Sequence, residues 1–142
     1  MEEEKEILNR MTDNHKAVPS PVTSAANLIA AAQHVNLVYL DERIRTYIVN
    51  IIYASRQPEQ FGLPQLKHCI EHGASPRATI ALAMTAKAHA FMDGRAYVLP
   101  EDVQELAPDV MQHRIAISYE AEADNISSAD VVDTIIQKLS VP

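Results

Sequence analysis

HGASPRATIAL, residues 72–82, decides how this chain is built, because it carries a helix start and a charge that the start does not want. Ser75 before Pro76 is a helix-opening pair. The hydroxyl can accept an orphan amide, and proline suits the first helical position, where its missing N–H is no loss. The segment that follows, RATIALAMTAKAHAFMD, runs without a breaker to Gly94, a C-terminal stop. Its alanines leave little bulk on any side, so neighbours can approach closely, and it is read as the central helix. Arg77 then falls in the first turn, at the positive end of the macrodipole, where an acid would be worth about 0.3–1 kcal/mol. Ile80 and Ala81 stand three and four residues on, so no acid in the next turn offsets the arginine. Two readings are open for it: an anion held outside this helix, or a distant surface carboxylate.

Upstream of this helix, residues 2–12 form a short amphipathic helix, with acids leading and Ile7, Leu8 and Met11 on one stripe. TDNHKAVPSPV breaks it. Thr23 or Ser24 can cap the next helix, AANLIAAAQHV. Asp41 caps a longer one reaching about Arg56, in which Ile44, Ile48, Ile51 and Ile52 share a face. Residues 57–64 read as a loop, and PQLKHCIEH is too brief to assign to helix or strand. Downstream, RAYV can be a strand paired with HRIAIS in a two-stranded ribbon. PEDVQEL is a short helix, APDVMQH a further turn or two, and a last helix spans about Ser128 to Leu139 after the cap-like NISSAD.

With 142 residues, 47% of them apolar, the chain suits one domain around a single core. Three glycines and only five Tyr and two Phe, against many Ala, Leu and Ile, favour a mainly helical fold. The formal charge of −7 argues against broad nucleic-acid or anionic-membrane binding. No run approaches the ~20 apolar residues of a membrane span. Cys69 is the single cysteine, so no intramolecular disulfide forms, and a cytoplasmic location is expected.

Several constellations have a plainer reading beside the sharp one. HCIEH (68–72) matches the H-x-x-E-H zinc-peptidase pattern, with Glu71 as base and a third ligand from Glu101 or Glu105. Gly73, however, ends any helix just after His72 and frays that ligand, so no metal site is expected. Cys69 next to two histidines points away from them on a helix and reads as a buried thiol. His113 and Arg114 read as a helix-end contact. The glycines at 62, 73 and 94 are too far apart for a phosphate loop, so this chain does not cradle a triphosphate alone.

GASPRA (73–78), the alanine-rich helix after it and GRAYVLPEDVQELAPDVMQHRI (94–115) together resemble the C-terminal lid domain of the MoxR family of AAA+ ATPases. EEEKEIL resembles that family's helix leaving the ATPase core, and VYLDERIRTYIVNIIYASR (38–56) its first long lid helix. The resemblance covers about Glu2 to Leu139. It implies a helical lid-type bundle with a small β-ribbon, residues 1–142 forming one lid domain whose ATP-binding core is absent. It implies that Arg77 is the sensor-2 residue contacting the γ-phosphate of ATP, with Gly73, Ser75 and Pro76 as the frame that aims it. ATP and Mg2+ would belong to the parent ATPase, and none is expected to bind this fragment tightly. Also implied are a homo-oligomeric ring, a hexamer, chaperone-like remodelling or maturation of partner proteins, and clients with von Willebrand factor A domains. On this reading the chain is an excised lid and Met1 an artificial start.

The rival from another class is a stand-alone helical adaptor that binds a partner helix in an apolar groove. A helix-turn-helix DNA binder needs a basic recognition helix, whereas the best helix here has only Arg77 and Lys87.

Overall fold

The face read at Ile44, Ile48, Ile51 and Ile52 is where the core begins. In the computed structural model, which describes residues 1–12 and 20–142, all four side chains are buried. The helices up to this point are α1 (Glu2–Thr12), α2 (Ala25–Leu37) and α3 (Glu42–Ala54). Asp41 caps α3 by accepting the Arg43 N–H at 2.9 Å, and Ser24 caps α2 by accepting the Asn27 N–H at 3.2 Å. The break expected in TDNHKAVPSPV lies mostly outside the described residues.

The described residues form two compact units, 1–31 and 32–142. In the first, α1 leads with Glu2, Glu3 and Glu4 and is laced by an Arg10–Glu6 ion pair; Ile7, Leu8 and Met11 are all exposed. In the second, two 3₁₀ turns (Pro58–Phe61 and Pro64–Lys67) lead to strand β1 (Ile70–His72) and then to α4 (Pro76–Met92) and α5 (Pro100–Met111). A third 3₁₀ turn (Gln112–Arg114), strand β2 (Ala116–Ile117) and helices α6 (Tyr119–Ala123) and α7 (Ser128–Lys138) complete it.

The alanines make α4 the centre of this unit. Ala78, Leu82, Ala86 and Ala90, spaced every fourth residue, are fully buried, and the helix packs most extensively on α5 and next on α3. Small side chains at a ridge let the axes approach, and the bulk comes from Val103, Val110 and Met111 opposite. Val131, Val132 and Ile135 of α7 close the core against α5, each buried aliphatic side chain being worth about 1.5–3 kcal/mol. Gly94, at φ +72, ends α4 as read, with the Arg95 N–H reaching back to Ala90 O at 2.8 Å and the Gly94 N–H to Phe91 O at 3.0 Å.

The two-stranded ribbon exists, but one partner differs from the expectation. β2 pairs antiparallel with β1, Ile70 opposite Ile117, and not with RAYV. Ser118 decides this: its N–H bonds Cys69 O at 2.9 Å and its hydroxyl bonds His68 O at 2.5 Å, fastening β2 to PQLKHCIEH. Tyr97 of RAYV instead makes an isolated parallel bridge to Tyr39. PEDVQEL and APDVMQH form one helix, α5, that runs through Pro108, and α6 was not foreseen. No helix among the described residues is long and apolar enough to cross a membrane.

A buried acid joins the end of α4 to the start of α5. Asp102, 3% exposed, takes both guanidinium nitrogens of Arg95 at 2.7 and 2.5 Å, the Leu99 N–H at 2.7 Å and His89 Nδ1 at 2.8 Å. Burial pushes its carboxyl up, but Arg95, the Leu99 amide and His89 together outweigh that and hold it at about 2, below the ordinary 3.8. The depressed value means that this stabilisation is complete above pH ~4 and is lost as pH falls from there through ~2, roughly 2 kcal/mol in all. His89, raised by its hydrogen bond to Asp102, acts in the opposite sense: its share is complete below about 6.5 and fades as pH rises through its folded value. Asp102→Asn is expected to flatten the acid limb of urea stability between pH 4 and 2 and to destabilise the protein at neutral pH by about 3 kcal/mol, because Arg95 loses its partner.

Candidate functional site

The start of α4 is fixed by a contact that no local signal announces. Ser55, the residue after α3, is 1% exposed; its hydroxyl donates to Ile52 O at 2.7 Å and accepts the Ala74 N–H at 3.0 Å. One buried hydroxyl thus satisfies itself twice and ties the loop before α4 to the end of α3. Gly73 completes the clamp. A Cβ there would overlap the Ser55 carbonyl, whose carbon would lie 2.6 Å away, and would sit 2.7 Å from Cγ of Arg56. Gly73 is therefore needed for close approach.

From that anchor the chain turns into the helix. Ser75 is extended (φ −78, ψ 167) at the N-cap position and Pro76 follows at the first helical position, as expected. The expected side-chain cap is absent: the Ser75 hydroxyl accepts no amide of the first turn, and the Ala78 N–H bonds the Ser75 carbonyl at 2.8 Å instead. Ala78 is fully buried and holds the turn down, while Ser75, Pro76 and Arg77 are exposed. The first turn carries no acid.

Arg77 makes no hydrogen bond or ion pair with any described residue. Every other arginine is engaged. Arg10 pairs with Glu6, Arg43 with Asp41, Arg45 with Glu42 and Arg95 with Asp93 and Asp102. Arg56 lies over the Tyr53 ring, and Arg114 donates to Val110 O, the helix-end contact read for it. In a chain of net charge −7, one unpaired guanidinium beside a helix N-terminus is an anion-binding arrangement.

The other candidates do not assemble. His68 ends a 3₁₀ turn, and Glu71 and His72 are exposed on or beside the ribbon rather than on one helix face. Among the described residues the one cluster with metal-ligand spacing is His89, Asp93 and Asp102, and there the Arg95 guanidinium already bridges both carboxylates. Cys69 is half-buried, its Sγ 3.5 Å from Gln65 O. Ser55 and Asp102 were missed. Asp102 had a signal, since an acid at the third helical position returns to the N-cap amide; Ser55, whose partner is Ala74, had none.

Gly73→Ala is expected to lower stability by about 1–3 kcal/mol, the usual range for forcing atoms into a packed site. Urea unfolding of the variant measures this, and Ser55→Ala should cost about as much by leaving the Ala74 amide unpaired.

Comparison with known proteins agrees with this architecture. Residues 66–135 match the AAA lid domain family. Chaperone MoxR1 of Mycobacterium tuberculosis is 34% identical over 141 residues, covering 99% of this chain and 37% of its own length. Protein MoxR of Methylorubrum extorquens is 26% identical, covering 94% of this chain and 40% of its own. A crystal structure from Cytophaga hutchinsonii, described as a candidate ATPase, superposes with a TM-score of 0.88 at 37% identity, over 99% of this chain and 43% of that one. The chain thus spans about two fifths of the length of these relatives. By fold, by the arginine-bearing start of α4 and by these likenesses, the chain belongs with the lid domains of MoxR-type AAA+ ATPases.

Proposed function

We propose that residues 1–142 act as the nucleotide-sensing lid of a longer ATPase, with Arg77 as the sensor-2 residue that meets the γ-phosphate of ATP held by the core domain. The unpaired guanidinium at the head of α4 carries this reading. Gly73, Ser75 and Pro76 frame it: the first gives the close approach to Ser55, the second the extended cap, the third the helical φ. When ATP is bound, Mg2+ draws charge from its phosphate oxygens. The metal would be held with the nucleotide by the core; the first turn of α4 offers it no carboxylate.

Arg77 suits the task better than lysine would. Its fork can take two phosphate oxygens at once, and it stays charged at any physiological pH. Charge that develops on the transferring phosphoryl group is met by a group already in place. Nucleotide state then reaches the lid through one contact on a helix that runs through the core. The chaperone designation of one relative supports remodelling or maturation of partner proteins as the output. The fuller proposal is a cytoplasmic hexameric ring acting on clients with von Willebrand factor A domains.

In an ATPase carrying this lid, Arg77→Ala should reduce turnover by roughly 10²–10³-fold and remove the effect of nucleotide on assembly, with Arg77→Lys only partly restoring it. Unchanged turnover and assembly would sink the proposal. The 142-residue chain alone is expected to show no micromolar affinity for Mg-ATP by calorimetric titration, since most phosphate contacts lie on the core.

A further inference from the structure

We infer that Tyr39 and Tyr97 form a groove for an extended, proline-bearing segment of a partner protein, and that the chain's own Ser140–Pro142 tail sits across it as a strap that such a segment displaces. The inference is independent of the phosphate-sensing reading of Arg77.

Two short stretches, VYL (38–40) and AYV (96–98), lie side by side through the parallel bridge between Tyr39 and Tyr97. The Tyr39 N–H donates to Ala96 O at 2.8 Å and the Val98 N–H to Tyr39 O at 3.0 Å. Side chains of extended backbone alternate between faces. Val38, Leu40 and Val98 are buried, so Tyr39 and Tyr97 turn outward, 63% and 52% exposed. Arg95, the residue that grips Asp102, also donates to Tyr97 O at 3.2 Å and braces the pair. Both tyrosines and Pro100 line a hollow of about 300 Å³. The Tyr39 hydroxyl is directed to the α3 cap, 3.5 Å from Asp41 Oδ2, whereas the Tyr97 hydroxyl makes no hydrogen bond among the described residues.

Two fixed aromatic faces and an unused phenol donor suit polyproline II. A segment in that conformation has no internal hydrogen bonds, so its carbonyls seek outside donors, and its prolines bring no N–H that would need an acceptor. An added β-strand is a poorer fit, because Tyr39 already uses both of its backbone groups in the bridge and Tyr97 O is taken by Arg95. The chain itself supplies the matching occupant. Beyond α7, Leu139 stands at φ −73 and ψ 134, close to polyproline II. Ser140 and Pro142 then line a second hollow with Arg43, Thr46 and Tyr47 of α3, and Pro142 also lines the tyrosine hollow. An extended tail thus crosses α3 and brings a proline to the two rings.

Amide NMR of the 142-residue chain, titrated with a polyproline peptide, tests the groove. The amides of residues 38–41 and 96–99 are expected to shift saturably, and a glycine-serine peptide of equal length to shift none of them. A chain ending at Leu139 should bind about fivefold more tightly, because an occupant lowers the apparent affinity by the fraction of time the groove stands open. Tyr39→Ser and Tyr97→Ser should each weaken binding about tenfold or more, and Tyr97→Phe about threefold through loss of the hydroxyl. Both rings are exposed, so melting temperatures should change little, and a folding defect in one variant leaves the other to decide. No saturable shift up to about 5 mM peptide, even with the chain ending at Leu139, overturns the inference. Equal or weaker binding by that shortened chain overturns it too, since the tail then does not share the groove. Tail amides that move on dilution also overturn it, placing the tail of a second copy there.

Discussion

The Ser55 hydroxyl and the missing side chain at Gly73 form the constraint on which the rest of the second unit depends. They bring the chain leaving β1 against the end of α3, where the Ala74 amide finds its acceptor inside the core. Everything that α4 presents follows from that fixed origin. A 17-residue helix is about 25 Å long, so an error at its first turn would be carried to every contact along it. The clamp is polar where the core is apolar, and it lasts because the hydroxyl is satisfied on both sides.

A second clamp at the other end makes α4 a strut. Gly94 turns the chain, and Arg95 then locks onto Asp102 at the start of α5. Alanines between the clamps allow α5 and α3 to pack closely, and close-packed interiors deform little under load. A pull on Arg77 is therefore borne by the whole bundle and not dissipated in one turn. The proposed phosphate-sensing role would draw on that property, because the signal would be a small displacement at one side chain.

Local signals were legible in the sequence and pairings at a distance were not. Asp41, the isoleucine face, Pro76 and Gly94 announced the limits of α3 and α4 because each acts within one turn of itself. The ribbon partner was misread because strands of two and three residues hold almost no register information; the decision lay with the Ser118 hydroxyl, fifty residues from His68. PEDVQEL and APDVMQH were read as separate helical pieces, yet α5 runs through Pro108 unbroken. The proline's missing N–H leaves one carbonyl of α5 without an intrahelical bond, but Ala107, Val110 and Met111 are buried around it and hold the helix through. At the candidate site, the helix start at Pro76 and the place of Arg77 in its first turn were readable, while the expected Ser75 cap was not made and the anchor at Ser55 stayed hidden.

The acidic balance of the chain sharpens the meaning of Arg77. A charge of −7 spread over the surface would repel a triphosphate at long range, yet that field is screened beyond about 8–10 Å at physiological salt. Inside that distance the nearest groups decide, and around the first turn of α4 these are one guanidinium, backbone amides and apolar side chains. A free nucleotide in solution meets the repulsion without the compensating contacts. On the proposed reading, one carried by a core domain would meet Arg77 at close range. The proposed role thus suits a lid that recognises ATP held by another domain better than one that captures ATP alone.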